Sequence, residues 1–225
     1  MPKLLYHGHS CFELIMEEQR IIVDPFLSGN PHAEVGPAAI EVAAVLVSHG
    51  HGDHVGDAVE IAKRNDCVVV TNHEIATWLE KQGVKVHGMH IGGAWSFQWG
   101  RVKLVPAIHG SMLPDGSCGG LAAGFLFEMG GKTIYYAGDT ALHSDMALYG
   151  RLYPIDLALL PIGDNYTMGI DDAIEAAVLC NANEIVPIHY DTFPVIGARP
   201  ADFAQRAKKR GVKVRLVQFG EMIDV

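Results

Sequence analysis

The stretch AAVLVSHGHGDHVGDA, residues 43–58, decides the fold of this 225-residue chain. Its apolar start predicts a buried strand at residues 44–48, and a helical pattern follows at residues 55–64. Between the two, HGHGDH at residues 49–54 brings three histidines and one aspartate into six positions. Imidazole nitrogen and carboxylate oxygen are ligands that suit zinc, iron or manganese. We therefore expect a metal-binding loop at the carboxyl end of a buried strand.

The glycines and the aspartate of this loop carry two further expectations. Gly50 and Gly52 are expected to let the backbone turn sharply, so that alternate imidazoles converge on one ion and the next pair of side chains faces a second. Asp53, at the mouth of the predicted helix, is also a suitable N-cap residue.

Three later strands end in the same way as the first, with a side chain that can bind a metal. These strands are predicted at residues 101–108, 133–137 and 184–188, and they lead to His109, Asp139 and His189. The carboxyl ends of strands are where α/β proteins commonly build their sites. One such ending is ordinary, but three in addition to HGHGDH predict that all four segments meet.

The motif order resembles a known superfamily. HGHGDH, a lone His, GDT and a second lone His resemble the five-motif pattern of the metallo-β-lactamase superfamily over nearly the whole chain. The segments GHSCF, IVDPF, LPIGDNYTMG and PIHYDTF resemble the small family of metal-dependent hydrolases close to ascorbate-6-phosphate lactonase. The resemblance implies an α/β (α+β) fold, a four-layer αββα sandwich of two mixed β-sheets with outer helices and metals at one edge.

The same resemblance implies a dinuclear site and a hydrolytic reaction. Two divalent transition-metal ions are expected, Zn²⁺ first, with Mn²⁺, Fe²⁺ or Ni²⁺ as alternatives. His49, His51 and His109 would hold the first ion, and Asp53, His54 and His189 the second, with Asp139 bridging both. A bridging hydroxide would attack an ester, lactone or phosphoester, and Asp53 or Asp139 would pass the proton to the leaving group. Two divalent ions, two carboxylates and one hydroxide leave a charge of about +1, which favours a small anionic substrate.

Five further residues are candidates for supporting roles. Asp24 is expected to accept a hydrogen bond from a ligand imidazole, with a turn carboxylate as the equal alternative. His9 is the best candidate for a non-ligand histidine at the pocket. Thr140 is expected to hydrogen-bond the bridging aspartate. Asn165 is a candidate contact to substrate, and Tyr190 is a candidate either to contact substrate or to brace the ligand His189.

Two long loops and one late strand complete the expectations about structure. The loops at residues 25–37 and 110–120 are expected to line the pocket, because long loops in compact domains are often functional. A strand is predicted at residues 213–216, and Trp95 and Trp99 are expected to pack among apolar residues.

Charge and composition narrow the function. With 17 Lys and Arg against 26 Asp and Glu, the formal net charge is -9, which argues against a broad nucleic-acid-binding surface. Two alternatives to a small-molecule hydrolase stay open. One is an RNA-processing nuclease of the tRNA 3′-endonuclease type, since such enzymes use similar ligands. The other is a catalytically silent metal- or ligand-binding module.

The remaining expectations concern organisation and location. Residues 1–225 are predicted to form a single domain, with 49% hydrophobic residues available for a core. Four cysteines without a CxxC pair, and the lack of a visible secretory signal, favour a reduced, cytoplasmic protein. The expected partner is a small-molecule substrate, and no association with a membrane is expected. Whether the chain forms a homo-oligomer is left open.

Overall fold

The computed structural model describes all 225 residues, in thirteen strands, six α-helices and two short 3₁₀ turns. The strands are β1 (Lys3–Gly8), β2 (Cys11–Met16), β3 (Gln19–Val23), β4 (Ala44–Leu46), β5 (Val68–Asn72), β6 (Lys85–Met89), β7 (Ala94–Phe97), β8 (Gly100–Pro106), β9 (Ala123–Met129), β10 (Lys132–Tyr136), β11 (Leu157–Pro161), β12 (Glu184–Ile188) and β13 (Met222–Asp224). The helices are α1 (Gly52–Val55), α2 (Ala58–Asn65), α3 (His73–Lys81), α4 (Asp145–Leu152), α5 (Ile170–Cys180) and α6 (Pro200–Lys208).

The strands form two mixed sheets. The first has seven strands in the order β13-β1-β2-β3-β4-β5-β6, and the second has six in the order β12-β11-β10-β9-β8-β7. In the first sheet the pairs from β3 to β6 are parallel and the others antiparallel. In the second sheet the β10–β11 and β11–β12 pairs are parallel and the others antiparallel. Each sheet therefore has a parallel part whose strand ends share one edge.

Side-chain alternation along the strands builds the core between the sheets. Leu4 and Tyr6 of β1 face the same interior cluster as Phe125 of β9 and Tyr136 of β10. Each fully buried side chain of this kind contributes roughly 1.5–3 kcal/mol to stability. Two further clusters lie on the outer faces, where α2 and α3 cover the first sheet and α4, α5 and α6 cover the second. The four-layer αββα sandwich is confirmed.

Strand ends also carry unusual backbone conformations. His9, Asp24 and His189 directly follow β1, β3 and β12, and their φ angles are 54°, 43° and 55°. Left-handed conformations cost non-glycine residues free energy and concentrate at functional sites. Three polar residues at strand ends are thus held in conformations that the surrounding structure must enforce.

Several local predictions were wrong. The helix predicted at residues 55–64 is divided into α1 and α2 at Gly56, because the backbone there has a φ of 43° and approaches Pro25 so closely that a Cβ would lie 2.3 Å from its carbonyl oxygen. The strand predicted at residues 213–216 is reduced to one bridge between Val214 and Ile185. The edge strand β7 was not predicted, and its Trp95 is exposed while Trp99 is buried as expected.

The metal-loop expectations also need correction. Neither Gly50 nor Gly52 has a positive φ, so the sharp turn does not depend on left-handed glycine. A Cβ on Gly50 would lie 3.1 Å from the carbonyl oxygen of Ser111, whereas one on Gly52 would meet nothing within 4 Å. The N-cap of α1 is His51, and Asp53 lies inside the helix. Glycine is therefore needed at position 50, where the loop packs closely against the backbone of residues 111–113.

Two expectations drawn from composition can be compared with the fold. The four cysteines are unpaired; Cys11, Cys67 and Cys180 are buried, and Cys118 is exposed. No helix combines the length and the apolarity that crossing a bilayer requires.

We predict that Gly50→Ala lowers the free energy of unfolding by about 1–3 kcal/mol, since the added methyl group overpacks against residues 111–113. Gly52→Ala is the matched control and is expected to change stability by less than about 0.5 kcal/mol. Urea denaturation of the metal-free proteins measures both. Equal effects of the two substitutions would contradict this account of the loop.

Candidate metal centre

The seven predicted ligand residues come together at one edge of the sandwich, where they form two clusters. The first cluster is His49, His51 and His109, whose candidate ligand atoms all lie within 4.8 Å of one another. His49 Nε2 and His51 Nδ1 are 3.0 Å apart, and the His109 ring centroid lies 5.1 Å from that of His49. Three imidazoles facing each other this closely are arranged to share a cation.

The second cluster is Asp53, His54 and His189. Its candidate ligand atoms also lie within 4.8 Å of one another, together with those of His9. The rings of His54 and His189 are nearly parallel, with centroids 5.9 Å apart. α1 contributes Asp53 and His54, and the end of β12 contributes His189.

Asp139 lies between the two clusters. Its Oδ2 atom is 2.9 Å from His189 Nε2, 3.3 Å from His54 Nε2 and 3.6 Å from His109 Nε2. One carboxylate oxygen therefore reaches both clusters, which is the contact pattern of a bridging residue.

Asp24 lies behind the second cluster, and its fully buried carboxylate accepts several hydrogen bonds. Its Oδ1 accepts from the Ser48 backbone N–H at 2.7 Å, and its Oδ2 accepts from His54 Nδ1 at 2.8 Å. The Tyr136 and Ser48 hydroxyls also donate to Oδ2. The expected contact to an imidazole N–H is thus present, and it leaves the His54 Nε2 atom facing Asp139.

The donor set fits a metal. Three buried polar atoms of the clusters and of Asp139 lack a hydrogen-bond partner: His54 Nε2, His189 Nδ1 and Asp139 Oδ1. Buried polar atoms without partners are costly, and functional sites are a common reason for retaining them. Imidazole and carboxylate donors are also the chemistry that divalent transition metals prefer.

The electrostatics of the two clusters differ. Burial holds the pKa of His49 well below its ordinary value and also lowers the pKa of His109. Burial acts in the same direction on His54, but the Asp139 and Asp24 carboxylates outweigh it and raise its pKa well above the ordinary value. These shifts favour the neutral imidazole at His49 and His109 and the protonated imidazole at His54 when no metal is bound.

A small cavity opens over both clusters. Its volume is about 240 Å³, and it is lined by His51, Asp53, His109, Asp139, Tyr166 and His189. Tyr166 is the only lining residue outside the predicted ligands, and the residue is 58% exposed. The lining contains neither Lys nor Arg.

One predicted contact of the supporting residues is not made, and the roles of two others stay predictions. Thr140 does not bond Asp139; its hydroxyl accepts from the Ile108 N–H and donates to the Ala141 carbonyl oxygen. Asn165 and Tyr190 are both absent from the cavity lining. Tyr190 is instead buried in the core that the second sheet shares with its helices.

The two long loops do not line the cavity but hold the elements around it. Ser111 of the second loop accepts a hydrogen bond from the Gly50 N–H and donates one to the Gly119 carbonyl oxygen. In the first loop, Leu27 donates its N–H to the carboxylate of Asp57, just before α2.

Several contacts had no signal in the sequence. Tyr166 lies in the LPIGDNYTMG segment, so its loop was recognised but its inward position was not. Tyr136 and Ser48 were not identified as donors to Asp24, because a strand pattern does not say which hydroxyl reaches a distant carboxylate.

Comparison with known proteins identifies the family. A family profile described as "Beta-lactamase superfamily domain" matches residues 19–190. A UPF0173 metal-dependent hydrolase of Bacillus cereus strain B4264 is 50% identical over 99% of this chain and 100% of that protein. The chain belongs to this family of metal-dependent hydrolases.

Two further relatives agree with that membership. A UPF0173 metal-dependent hydrolase of Desulfitobacterium hafniense is 47% identical, over 92% of this chain and 91% of that protein. The solved structure of Igni18, a metallo hydrolase from the archaeon Ignicoccus hospitalis, is 36% identical with a TM-score of 0.91, covering 99% of this chain and 97% of that one. The predicted superfamily, fold and enzyme class are thereby confirmed.

We predict that Asp24→Asn destabilises the metal-free protein by about 3–5 kcal/mol, since an amide N–H₂ would face donors inside a buried network. Asp156→Asn is the matched control: Asp156 accepts the Thr133 N–H and pairs with Lys132 at a half-buried site outside the clusters. Its expected cost is below about 1 kcal/mol. Chemical denaturation measures both, and similar values for the two variants would contradict the role given to Asp24.

Metal binding at the second cluster is expected to release a proton from His54. The raised pKa of His54 means that its proton is bound below that pKa and must leave when a divalent ion binds there. At pH 7 we expect release of about one proton from the second cluster, and an affinity that rises with pH until the His54 pKa is passed. Calorimetry in buffers of different ionisation enthalpy counts the protons, and binding without release would contradict the assigned protonation.

Proposed function

We propose that this metal-dependent hydrolase cleaves an ester, lactone or phosphoester bond in a small anionic substrate, with two divalent transition-metal ions, zinc first, held by the two clusters. The observation that carries the proposal is the position of Asp139, whose Oδ2 lies within 3.6 Å of imidazoles from both clusters. Two such ions supply a water of lowered pKa and polarise the scissile carbonyl or phosphoryl oxygen.

The protein's own residues prepare the site. His49, His51 and His109 would hold one ion, and Asp53, His54 and His189 the other, with Asp139 shared. Asp24 fixes the ring of His54 and directs its Nε2 atom at Asp139. Because neighbouring side chains and loops hold these groups before substrate binds, little reorganisation is needed during the reaction.

Of the two candidate proton carriers, Asp53 is the better placed. Its side chain is 28% exposed and lines the cavity, whereas that of Asp139 is 3% exposed and surrounded by three imidazoles. We therefore assign to Asp53 the uptake of a proton from the attacking water and the transfer of that proton to the leaving group. Asp139 is assigned the contact that links the two clusters.

Cavity size and charge support the substrate class. A volume of about 240 Å³ lies below the roughly 300–1,000 Å³ of drug-sized ligand sites, which favours a small substrate. Since no Lys or Arg lines the cavity, attraction of an anion would depend on the bound ions, whose combined charge exceeds that of Asp53 and Asp139.

A substrate panel tests the proposed reaction. The panel contains chromogenic ester, lactone, phosphodiester and thioester compounds and an RNA with a 3′ extension, each assayed with Zn²⁺. We expect turnover of a small ester, lactone or phosphoester, and a loss of about 10²-fold or more in kcat/KM for Asp139→Asn. Asp156→Asn, outside the site, serves as the control. Turnover of RNA alone would favour the nuclease alternative, and identical behaviour of wild type and Asp139→Asn on every substrate would reject the proposal.

Tyr166 is proposed to contact the substrate. Asp164 and Asn165 have φ angles of 59° and 46°, and this left-handed pair turns the chain so that Tyr166 lines the cavity. We predict that Tyr166→Ala lowers kcat/KM by about 10-fold, mainly through KM, because a binding contact made before the reaction is lost. Asn165→Gly, next to it but outside the cavity, keeps the left-handed turn without strain and is expected to stay within about twofold. Steady-state kinetics on the substrate identified by the panel measures both variants. Equal losses of kcat/KM in the two would contradict a substrate contact by Tyr166.

A further inference from the structure

His9 is a buried histidine that belongs to neither cluster, yet its contacts lead directly to one. Its Nε2 atom lies 3.2 Å from Asp53 Oδ2, and its Nδ1 atom lies 2.9 Å from the Thr192 hydroxyl oxygen. The side chain is fully buried, and its ring centroid is 4.2 Å from that of His189. The ring therefore connects the chain beyond β12 to a carboxylate at the start of α1.

The hydrogen-bonding capacities of the three groups determine the direction of these bonds. A carboxylate accepts only, and a neutral imidazole has one donor and one acceptor nitrogen. If Thr192 donates its hydroxyl hydrogen to Nδ1, His9 carries its hydrogen on Nε2 and donates it to Asp53, so that both bonds are satisfied. The opposite tautomer would set two acceptors against each other at 3.2 Å. The shorter contact of the Thr192 hydroxyl is to His9, since the Tyr190 carbonyl oxygen is 3.3 Å away.

The surrounding structure fixes the ring in this orientation. The backbone carbonyl oxygen of His9 accepts from the His189 N–H at 2.8 Å and from the Tyr6 hydroxyl at 2.9 Å. Phe26 and Phe193 contact the ring edge to face, with centroids 5.6 and 5.5 Å away. These contacts hold His9 at a φ of 54°, in the left-handed region that costs a non-glycine residue free energy.

We propose that His9 is a positioning residue for Asp53. Its Nε2–H donates a hydrogen bond to Asp53 Oδ2, and the Thr192 hydroxyl keeps the ring hydrogen on Nε2 by donating to Nδ1. The remaining lone pairs of the Asp53 carboxylate are then directed into the second cluster. Hydrogen bonds of this kind to a ligating carboxylate typically change metal affinity by about 10–100-fold. The inference rests on the proposed function, because it assumes that Asp53 binds an ion.

Paired substitutions at His9 test the proposal. The amide nitrogen of His9→Gln can take the place of Nε2, whereas His9→Leu has no donor. Neither Gln nor Leu favours a positive φ, so both variants carry similar backbone strain. Metal-free protein is titrated with Zn²⁺ against a chromophoric chelator, and thermal unfolding is recorded in parallel. We expect about 10–100-fold weaker binding at the second cluster in His9→Leu, substantial recovery in His9→Gln, and unchanged binding at the first cluster.

Thr192 provides an independent pair if the His9 variants fold poorly. Thr192→Val removes the hydroxyl with little change in shape, and Thr192→Ser keeps it. Weaker binding at the second cluster in Thr192→Val, with recovery in Thr192→Ser, supports the proposal.

The possible failures are distinguishable. A wild-type protein that binds no Zn²⁺ overturns the proposed function, and this inference with it. Two Zn²⁺ sites of unchanged affinity in both His9→Leu and Thr192→Val overturn the inference alone. The same holds if Gln and Leu weaken binding equally and in proportion to lost stability, since the role of His9 would then be only structural.

Discussion

Asp24 and Asp139 are carboxylates that the fold removes almost completely from water, and the structure depends on how their charges are compensated. A buried ion without partners costs several kcal/mol, so each carboxylate must be surrounded by donors or cations. Asp24 receives backbone, hydroxyl and imidazole hydrogens, while Asp139 is faced by three imidazoles. The His54 ring lies between these two carboxylates. Its Nδ1 atom contacts Asp24 behind the site, and its Nε2 atom contacts Asp139 inside it.

This constraint connects the sandwich to its chemistry. The parallel strands of the two sheets end at one edge, where β3, β10 and β12 are followed by residues of the site. Left-handed backbone at Asp24 and His189 turns side chains inward at positions where an extended strand would have continued. The free energy spent on those conformations and on burying charge is offset by the core between the sheets. Hydrogen bonds and backbone conformation thus position the side chains of the site without a ligand.

Local patterns were sufficient to predict much of the fold and of the site's composition. HGHGDH and the residues at three strand ends can be recognised from the sequence without knowledge of contacts, and β12 was predicted with its observed bounds. The same patterns did not predict features that depend on the three-dimensional arrangement of the chain. The turn at Asp164 selects Tyr166 for the cavity in place of Asn165, and this depends on backbone angles that composition does not specify. β7 was missed because it is short, flanked by glycines and exposed at an edge. The contact between His9 and Thr192 spans 183 residues, and no spacing rule predicts it.

The central claim is that the side chains of the two clusters hold two ions with Asp139 between them. Crystals grown with Zn²⁺, with anomalous diffraction data collected on both sides of the zinc absorption edge, test it most directly. The account predicts two anomalous peaks per chain, one contacted by His49, His51 and His109 and the other by Asp53, His54 and His189, with Asp139 contacting both. A single peak at full occupancy, or peaks bound by other residues, would contradict it.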